Sequence, residues 1–314
     1  HYVKYGDQLV PAAETEFAKD PTFGYRSSDL RDYIEEKTKG AFHREDVTCI
    51  SLDDLRSLNF EGIEAQLSRV SNFNKVIVNA IDSVDIKIFT IALYHVLDRG
   101  KRFMFRTAAA LVKEMGGISD QPLLTRAQMI SSENPNGGVI IIGSHTHKTT
   151  QQLEALKELK QIRFIEFNSD LVLDPDRFKR ETERVTEEIE ETIRSGQTAA
   201  AYTRRQLLTV ENDTKEKALL RSIQISNAVQ ALVGNLKTVP SFVIAKGGIT
   251  SSDIGTKALK VRRARVMGQI QPGIPVWQTG PESRFPGIPY VIFPGNVGDT
   301  STLRDAAAIL MEKA

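Results

Sequence analysis

The sequence predicts an α/β fold of two domains, the second with a mostly parallel sheet flanked by helices. Three observations support this prediction. The 314 residues suffice for two domains with substantial cores. From residue 139 onward, short apolar strands alternate with amphipathic segments, which is typical of a parallel sheet covered on both faces. The turn-forming run at 131–138 separates this region from a less regular first part. We therefore predict domains over 1–136 and 137–314.

The first part contains weaker signals. Ser51 is followed by two aspartates, which indicates a capped helix start, and apolar residues recur at helical spacing over 85–97. The predicted elements are, in order, a helix from Ser51, a strand over 75–80, a helix over 85–97, a strand over 102–106 and a helix over 111–115.

The second part is more regular. Asp174 before Pro175 predicts a helix N-cap followed by proline at the first helical position, and Val185, Ile189 and Ile193 form one apolar stripe. The predicted elements are strand 139–142, a helix from Thr149 or Thr150, strand 162–167, a helix from Pro175 to about Gly196, strand 198–202, a long helix ending near Pro240, a strand to Ala245, a helix after Thr250, strand 263–270, strand 290–293 and a closing helix through Leu303 and Leu310.

Composition narrows the class of protein. With 40% hydrophobic and 26% charged residues and a formal net charge of +1, the chain resembles an ordinary globular protein without a field that favours nucleic acid or an anionic membrane. It contains no apolar run near the ~18 residues of a membrane span, and residues 1–10 lack the pattern of a secretory signal. The single cysteine, Cys49, excludes an intramolecular disulfide and a cysteine zinc cluster. We therefore expect a cytoplasmic protein that binds small molecules and neither nucleic acid nor membrane, with a homodimer as the default assembly.

Small-residue turns follow three of the predicted strands. Strand 139–142 runs into Gly143-Ser144. The strand that ends at Ala245 runs into Gly247-Gly248-Ile249-Thr250, and strand 290–293 runs into Pro294-Gly295-Asn296. Glycines at the carboxyl ends of parallel strands let the backbone approach a ligand, and free N–H groups there can bind phosphate. The pattern predicts a nucleotide site built largely from backbone, to which Lys246 would add a charge.

Other interpretations of these turns stay open at this stage. The second turn is equally a tight strand-to-helix connection with Thr250 or Ser251 as N-cap, and 294–298 an irregular turn before the last helix. Neither a G-x-x-x-x-G-K-[ST] nor a G-x-G-x-x-G pattern occurs. His145 and His147 are more typical of a solvent-facing turn than of a metal pair, so we predict no metal site in the protein. Ser144 is not in the G-x-S-x-G context of a hydrolase nucleophile, so we assign it a hydrogen bond to nucleotide.

Charged residues upstream are candidates for an anionic substrate. Asp20 lies in the segment 14–21 and Arg106 in the segment 101–107. The guanidinium fork of arginine matches a carboxylate, although exposed ion pairs explain these segments equally well.

Four ordered motifs, over 143–152, 245–253, 268–277 and 294–299, resemble the carboxyl-terminal domain of the four-carbon acid sugar kinase family. Segment 14–21 resembles the later part of that family's amino-terminal, substrate-binding domain. The resemblance implies transfer of phosphate from ATP, with Mg²⁺, to the terminal hydroxyl of threonate, erythronate or 3-oxo-tetronate. The positions that match nucleotide contacts are Ser144, Gly247, Gly248, Ile249, Thr250, Gly295 and Asn296, and our candidates for substrate contacts are Arg106 and Asp20.

The chain departs from the family pattern in two places. Ile249 stands where many relatives have an acidic residue, and the family's opening Asp-Asp-x-Thr-Gly-like motif is absent, so no catalytic base is assigned. This predicts either a piece of a longer enzyme or a relative that lacks part of the active site. The alternatives are a non-catalytic nucleotide-binding protein or scaffold and an NAD-linked oxidoreductase, the latter without a dinucleotide fingerprint.

Overall fold

The computed structural model describes residues 1–5, 7–20, 24–130, 134–206, 208–210 and 213–312. These fall into two compact units, 1–120 and 121–314. The predicted boundary after residue 136 thus lies within the second unit, and 131–133 of the predicted linker lie outside the described residues. The segment before that linker packs into the second unit: the N–H of Leu124 donates to the carbonyl of Gln269 at 2.8 Å, and Leu124, Met129 and Ile130 join its core. Turn composition marks a break in the pattern and carries no information about such packing.

The first unit combines small sheets with a helical core. β1 and β2 pair antiparallel and β3 and β4 pair parallel. Its core consists of Ile50 and apolar residues of the helices, among them Leu55, Ile63 and Leu93. The elements are β1 (Tyr2–Tyr5), β2 (Gln8–Pro11), α1 (Leu30–Thr38), β3 (Thr48–Ile50), α2 (Leu52–Arg56), α3 (Phe60–Arg69), β4 (Val76–Val78), α4 (Ser83–Asp98) and α5 (Ala109–Met115).

The start of α4 is closed by carboxylates. Asp82 Oδ1 accepts the N–H groups of Val84 and Asp85 at 2.8 and 3.2 Å, and Asp85 Oδ2 accepts those of Ile81 and Asp82 at 2.8 and 3.3 Å. Arg56 donates through Nε to Asp85 Oδ1 at 3.1 Å. That hydrogen bond, followed by the bond from the Ile81 amide, lowers the pKa of Asp85 to about 2. The N–H groups of Ile81, Asp82, Val84 and Asp85 at this helix start are therefore bound by carboxylates of the protein itself.

The strand predicted over 102–106 is wrong, because the chain is irregular there. Met104 is 87% exposed, while Phe103 packs half-buried against the first core. The run of three apolar residues between two arginines resembles a strand, but no neighbouring strand pairs with this segment among the described residues.

The second unit is built on a seven-stranded sheet in the order β6-β7-β5-β8-β11-β10-β9. The first five strands are parallel, and β10 pairs antiparallel with both neighbours. The predicted α/β class with a mostly parallel sheet is therefore confirmed. The elements are α6 (Arg126–Met129), β5 (Val139–Ile142), α7 (His147–Leu156), β6 (Ile162–Phe167), α8 (Pro175–Arg194), β7 (Thr198–Thr203), α9 (Lys215–Gly234), β8 (Val243–Lys246), α10 (Gly248–Asp253), a π-helical turn (Ile254–Ala258), β9 (Ala264–Gln271), β10 (Ile274–Thr279), β11 (Pro289–Phe293) and α11 (Thr302–Met311).

Helices cover both faces of this sheet. Alternate residues of β5 point to opposite cores, Val139 and Ile141 toward α8 and α9, and Ile140 and Ile142 toward α7 and α11. As predicted, Asp174 caps α8 and Pro175 is its first residue, and Val185, Ile189 and Ile193 are buried. Within the described residues, no helix combines the length and the apolar character that crossing a membrane would require.

Several element bounds differ from the prediction. β10 was not predicted. The strand accommodates Pro275, which lacks an N–H donor, at a register shift between Ile274 and Pro275. α9 ends at Gly234 rather than near Pro240, and α7 begins at His147 because Thr146 caps it. Neither Thr250 nor Ser251 caps α10, whose N-cap is Gly247.

Candidate functional site

The three small-residue turns meet at one edge of the large sheet. β5, β8 and β11 are adjacent and parallel, and Ile142, Lys246 and Phe293 lie side by side in their register. We call 143–146 the first turn, 247–250 the second turn and 294–299 the third turn. The chain leaves β5 toward β6, on one side of the β5–β8 pair. It leaves β8 toward the opposite side, where β11, β10 and β9 lie. This reversal of direction opens a crevice at the carboxyl edge of a parallel sheet, which is where such sheets bind ligands.

Glycines allow the turns to approach one another closely. A methyl group on Gly143 would lie 2.3 Å from Thr250 Oγ1, and one on Gly247 would lie 3.2 Å from Ser144 Cβ. One on Gly295 would lie 3.8 Å from Ser144 Oγ. Gly247 also has φ +121°, which side chains with a Cβ adopt only under strain. The predicted nucleotide-binding turns therefore form one cluster.

The second turn presents main-chain donors beside open space. The N–H of Gly247 donates to the Phe293 carbonyl at 2.9 Å, which places the start of α10 at the sheet edge. The first amides of α10 precede its hydrogen-bond ladder, and among the described residues they have no acceptor. A methyl group on Gly248 would meet no atom within 4 Å, and the neighbouring Ile249 is 74% exposed. This open face with unpaired donors fits an anionic group such as phosphate.

Lys246 lies beneath the third turn. Its side chain is fully buried, and Nζ donates to the carbonyls of Pro294 at 2.7 Å and Gly295 at 3.2 Å and lies 4.2 Å from the ring centroid of Phe293. Burial, with a smaller contribution from the charge of Lys148, lowers the pKa of Lys246 to about 7. The side chain therefore supports the neighbouring turn. The sequence had suggested that it would present a charge to the phosphate, and it does not.

The first turn is ordered by hydroxyl groups and an arginine. Thr146 Oγ1 accepts the N–H of Thr149 at 3.3 Å, and the Thr149 hydroxyl donates to Ser144 Oγ at 3.2 Å. Arg205, which follows β7, donates through Nη2 to the Ser144 carbonyl at 2.6 Å. Burial, and then the charge of Arg205, lowers the pKa of His145. Sequence reasoning missed Arg205, because only the pairing of β7 with β5 brings it beside this turn.

The two candidate histidines separate in the structure. His145 is half-buried, with Nε2 3.4 Å from Thr203 Oγ1, whereas His147 is exposed at the start of α7. Within the described ranges, no group of three or more histidine, cysteine or acidic residues is arranged to hold a metal ion.

The two substrate candidates lie in the first unit. Arg106 is exposed in the irregular segment 101–108. Asp20 is also exposed; it ends a 3₁₀ turn over Glu16–Lys19, and its carbonyl accepts the N–H of Gly24 at 2.8 Å. Pro21, the last residue of the predicted motif, lies outside the described residues.

Comparison with known families defines the class of protein. Residues 139–303 match the model of a nucleotide-binding C-terminal domain, and residues 1–115 match that of a sugar-binding N-terminal domain. The protein is thus a two-domain protein that combines a sugar-binding and a nucleotide-binding module. With this layout, the chain belongs to the four-carbon acid sugar kinase family.

One solved structure shares the fold at low sequence identity. A crystal structure from Salmonella typhimurium LT2, of a protein provisionally described as a tRNA synthase, is 16% identical with a TM-score of 0.61; the match covers 96% of this chain and 67% of that chain. Two crystal structures of a domain of unknown function (DUF1537) from Bordetella bronchiseptica contain citrate and a domain-swapped dimer. They are 18% and 17% identical, with TM-scores of 0.42 and 0.43, and the matches cover 99% of this chain and 69% and 68% of those chains. None of the curated proteins matches this chain.

Proposed function

We propose that this protein is an ATP-dependent kinase that phosphorylates the terminal hydroxyl of a four-carbon acid sugar: threonate, erythronate or 3-oxo-tetronate. The observation that carries the proposal is the meeting of three glycine-bearing turns at the ends of adjacent parallel strands, within the region matched by the nucleotide-binding domain. The sugar-binding domain over 1–115 supports a carbohydrate acceptor.

In this proposal the three turns bind the phosphates. The amides that open α10 at Gly248–Thr250 donate to phosphate oxygens, and Ser144 and the Gly295–Asn296 segment contact the nucleotide from either side. Bound ATP would supply the transferable phosphoryl group, and Mg²⁺ would offset the negative charge of its phosphates. The lack of a three-residue acidic cluster among the described residues is compatible with an ion held largely by phosphate and water.

The acid sugar is assigned to the first domain. Arg106 would bind its carboxylate through the guanidinium fork, and Asp20 would accept hydrogen bonds from its hydroxyls. We retain 1–136 and 137–314 as the functional division of the chain. We also propose that the protein acts in the cytoplasm, as its single cysteine suggests, and that it forms a homodimer.

The proposal is tested by calorimetric titration of the full chain with Mg-ATP, followed by ADP release with each of the three acids. We expect saturable binding at micromolar to millimolar ATP and turnover with one acid. Binding without turnover on any acid would indicate a non-catalytic nucleotide-binding protein, and competition by NAD would indicate a dinucleotide site instead.

The variant Gly248→Leu locates the nucleotide. Because space beside Gly248 is open, the leucine fits the folded chain but occupies the face on which phosphate is proposed to bind. We expect a loss of ATP affinity of about 100-fold or more, equivalent to roughly 2.7 kcal/mol. The control is Ser252→Leu, on an exposed position of the same helix. Unchanged affinity in Gly248→Leu would refute this placement.

A further inference from the structure

The third turn is held from within the protein by its carbonyl groups. Three side chains from β8 and α7 donate to five of its carbonyls, and two of these side chains are fully buried. The bonds run from Lys246 Nζ to Pro294 and Gly295 at 2.7 and 3.2 Å, from Lys148 Nζ to Asn296 at 3.4 Å, and from Gln152 Nε2 to Val297 and Asp299 at 3.2 and 2.8 Å.

The amides of the same turn, apart from that of Asp299, are left without acceptors. Among the described residues, no acceptor binds the N–H groups of 295–298, while the N–H of Asp299 donates to Thr302 Oγ1 at 2.7 Å. Asn296 is exposed. Successive backbone N–H groups in a turn can form an anion-binding concavity. The turn thus has the carbonyls of 294–297 and 299 bound by side chains, while its amides at 295–298 are available.

Gln152 is a buried polar residue among apolar neighbours. It is fully buried on α7 beside Leu153, and its Oε1 atom has no hydrogen-bond partner. An unsatisfied buried acceptor destabilises a protein by about 1–3 kcal/mol. The unpaired oxygen is unfavourable for stability, whereas the amide nitrogen of the same side chain binds two carbonyls of the turn at once. We therefore attribute the role of Gln152 to its amide nitrogen.

We propose that Gln152 and Lys246 are positioning residues that hold the carbonyls of the third turn toward the protein interior and so direct its amides to the anionic phosphates of the nucleotide. This inference rests on the proposed function. It adds two side chains that do not touch the ligand but determine which polar face of the turn the ligand meets. Gln152 gives the cleaner test, because its amide has no charge.

The experiment uses the full chain with Gln152→Met and the neighbouring control Gln151→Met, which replaces an exposed glutamine. The affinities for Mg-ATP and for inorganic pyrophosphate are measured, together with the protection that each ligand gives the amides of 295–298 against hydrogen exchange. For Gln152→Met we expect about tenfold weaker binding of both ligands, as for the loss of one to two hydrogen bonds, and loss of this protection. Gln151→Met should behave as wild type.

Two further variants separate positioning from general damage. Gln152→Glu has the shape of glutamine but, when ionised, directs an acceptor at the carbonyls of Val297 and Asp299. Because Lys246, which binds the same turn, titrates in this range, each affinity is compared with that of wild type at the same pH. Relative to wild type, the affinity should be lowest at pH 8 and recover as the pH falls, because the protonated carboxyl regains a donor. Lys246→Met keeps an apolar side chain of similar length in the buried position and should lose the same amide protection.

The outcomes are distinguishable. If wild type binds nucleotide but Gln152→Met retains both affinity and protection, the positioning role is refuted while the proposed function stands. Protection of 248–250 without protection of 295–298 in wild type would refute it as well. If wild type binds neither ATP nor pyrophosphate, the proposed function and this inference fall together.

Discussion

The start of α4 in the first unit and the third turn in the second unit are stabilised by side chains of opposite polarity. At α4 the carboxylates of Asp82 and Asp85 accept the N–H groups of 81, 82, 84 and 85, so these donors are bound within the protein. At the third turn, Lys246 and Gln152 donate to carbonyls, so the donors remain available. The comparison shows that a turn becomes a candidate anion site according to which of its main-chain groups the protein itself satisfies.

The largest expected effect comes from Asp85→Ala, which removes a carboxylate at the start of α4. The variant leaves the amide of Ile81 and the guanidinium of Arg56 without their buried partner, which should destabilise the first unit by about 3 kcal/mol. Urea unfolding measures the loss, and the affinity for Mg-ATP should not change. A loss of affinity equal to that of Gln152→Met would contradict the distinction between the two turns.

The same carboxylate predicts a pH window. Its folded-state pKa of about 2 is below the ordinary value of 3.8, so its contribution is fully present above about pH 4 and is lost as the pH falls toward 2. The difference in free energy of unfolding between wild type and Asp85→Ala should therefore be smaller at pH 2 than at pH 6.

The next largest effect on stability concerns Lys246, which lies beneath the third turn. Its folded-state pKa of about 7 is below the ordinary 10.5, so between these values the unfolded chain holds more protons and stability rises with pH. Below pH 7 the penalty of burying the ammonium is fully present. Between pH 7 and pH 9 the stability of wild type should rise by about 2–3 kcal/mol relative to Lys246→Met.

Unfolding curves of both proteins at several pH values check this, with Lys160→Met as a control at an exposed lysine. A difference between wild type and Lys246→Met that does not vary with pH would show that Lys246 remains charged throughout this range.

The smallest effect comes from Asp82→Ala, which removes the N-cap side chain at the start of α4 and leaves Asp85 in place. Because Asp82 is exposed, we expect a loss of about 1 kcal/mol, typical of an N-cap. Asp53→Ala, at an exposed position near the start of α2, should change stability by less than about 0.5 kcal/mol. A loss as large as that of Asp85→Ala would show that Asp82 and Asp85 cap α4 as a single unit.

Local signals predicted much of the second unit. The Asp174-Pro175 pair located the start of α8, and the strand over 162–167 was predicted with the bounds that the structure has. Both depend on residues close together in sequence. The segment 102–106 shows the limit of such reasoning, because a short apolar run does not by itself supply a partner strand. β10 shows the reverse case, in which neighbouring strands accommodate Pro275.

By itself, the sequence determined the α/β class, most elements of the sheet, and the glycine turns at the ends of three strands, because periodicity, caps and turn residues are properties of short segments. Only the tertiary structure decided that these strands are adjacent, that Arg205 reaches the first turn, and that Gln152 holds a turn 145 residues away. The polarity of the third turn depends on hydrogen bonds between distant segments. Such bonds exist only once the sheet order and the packing of α7 have brought donors and carbonyls together.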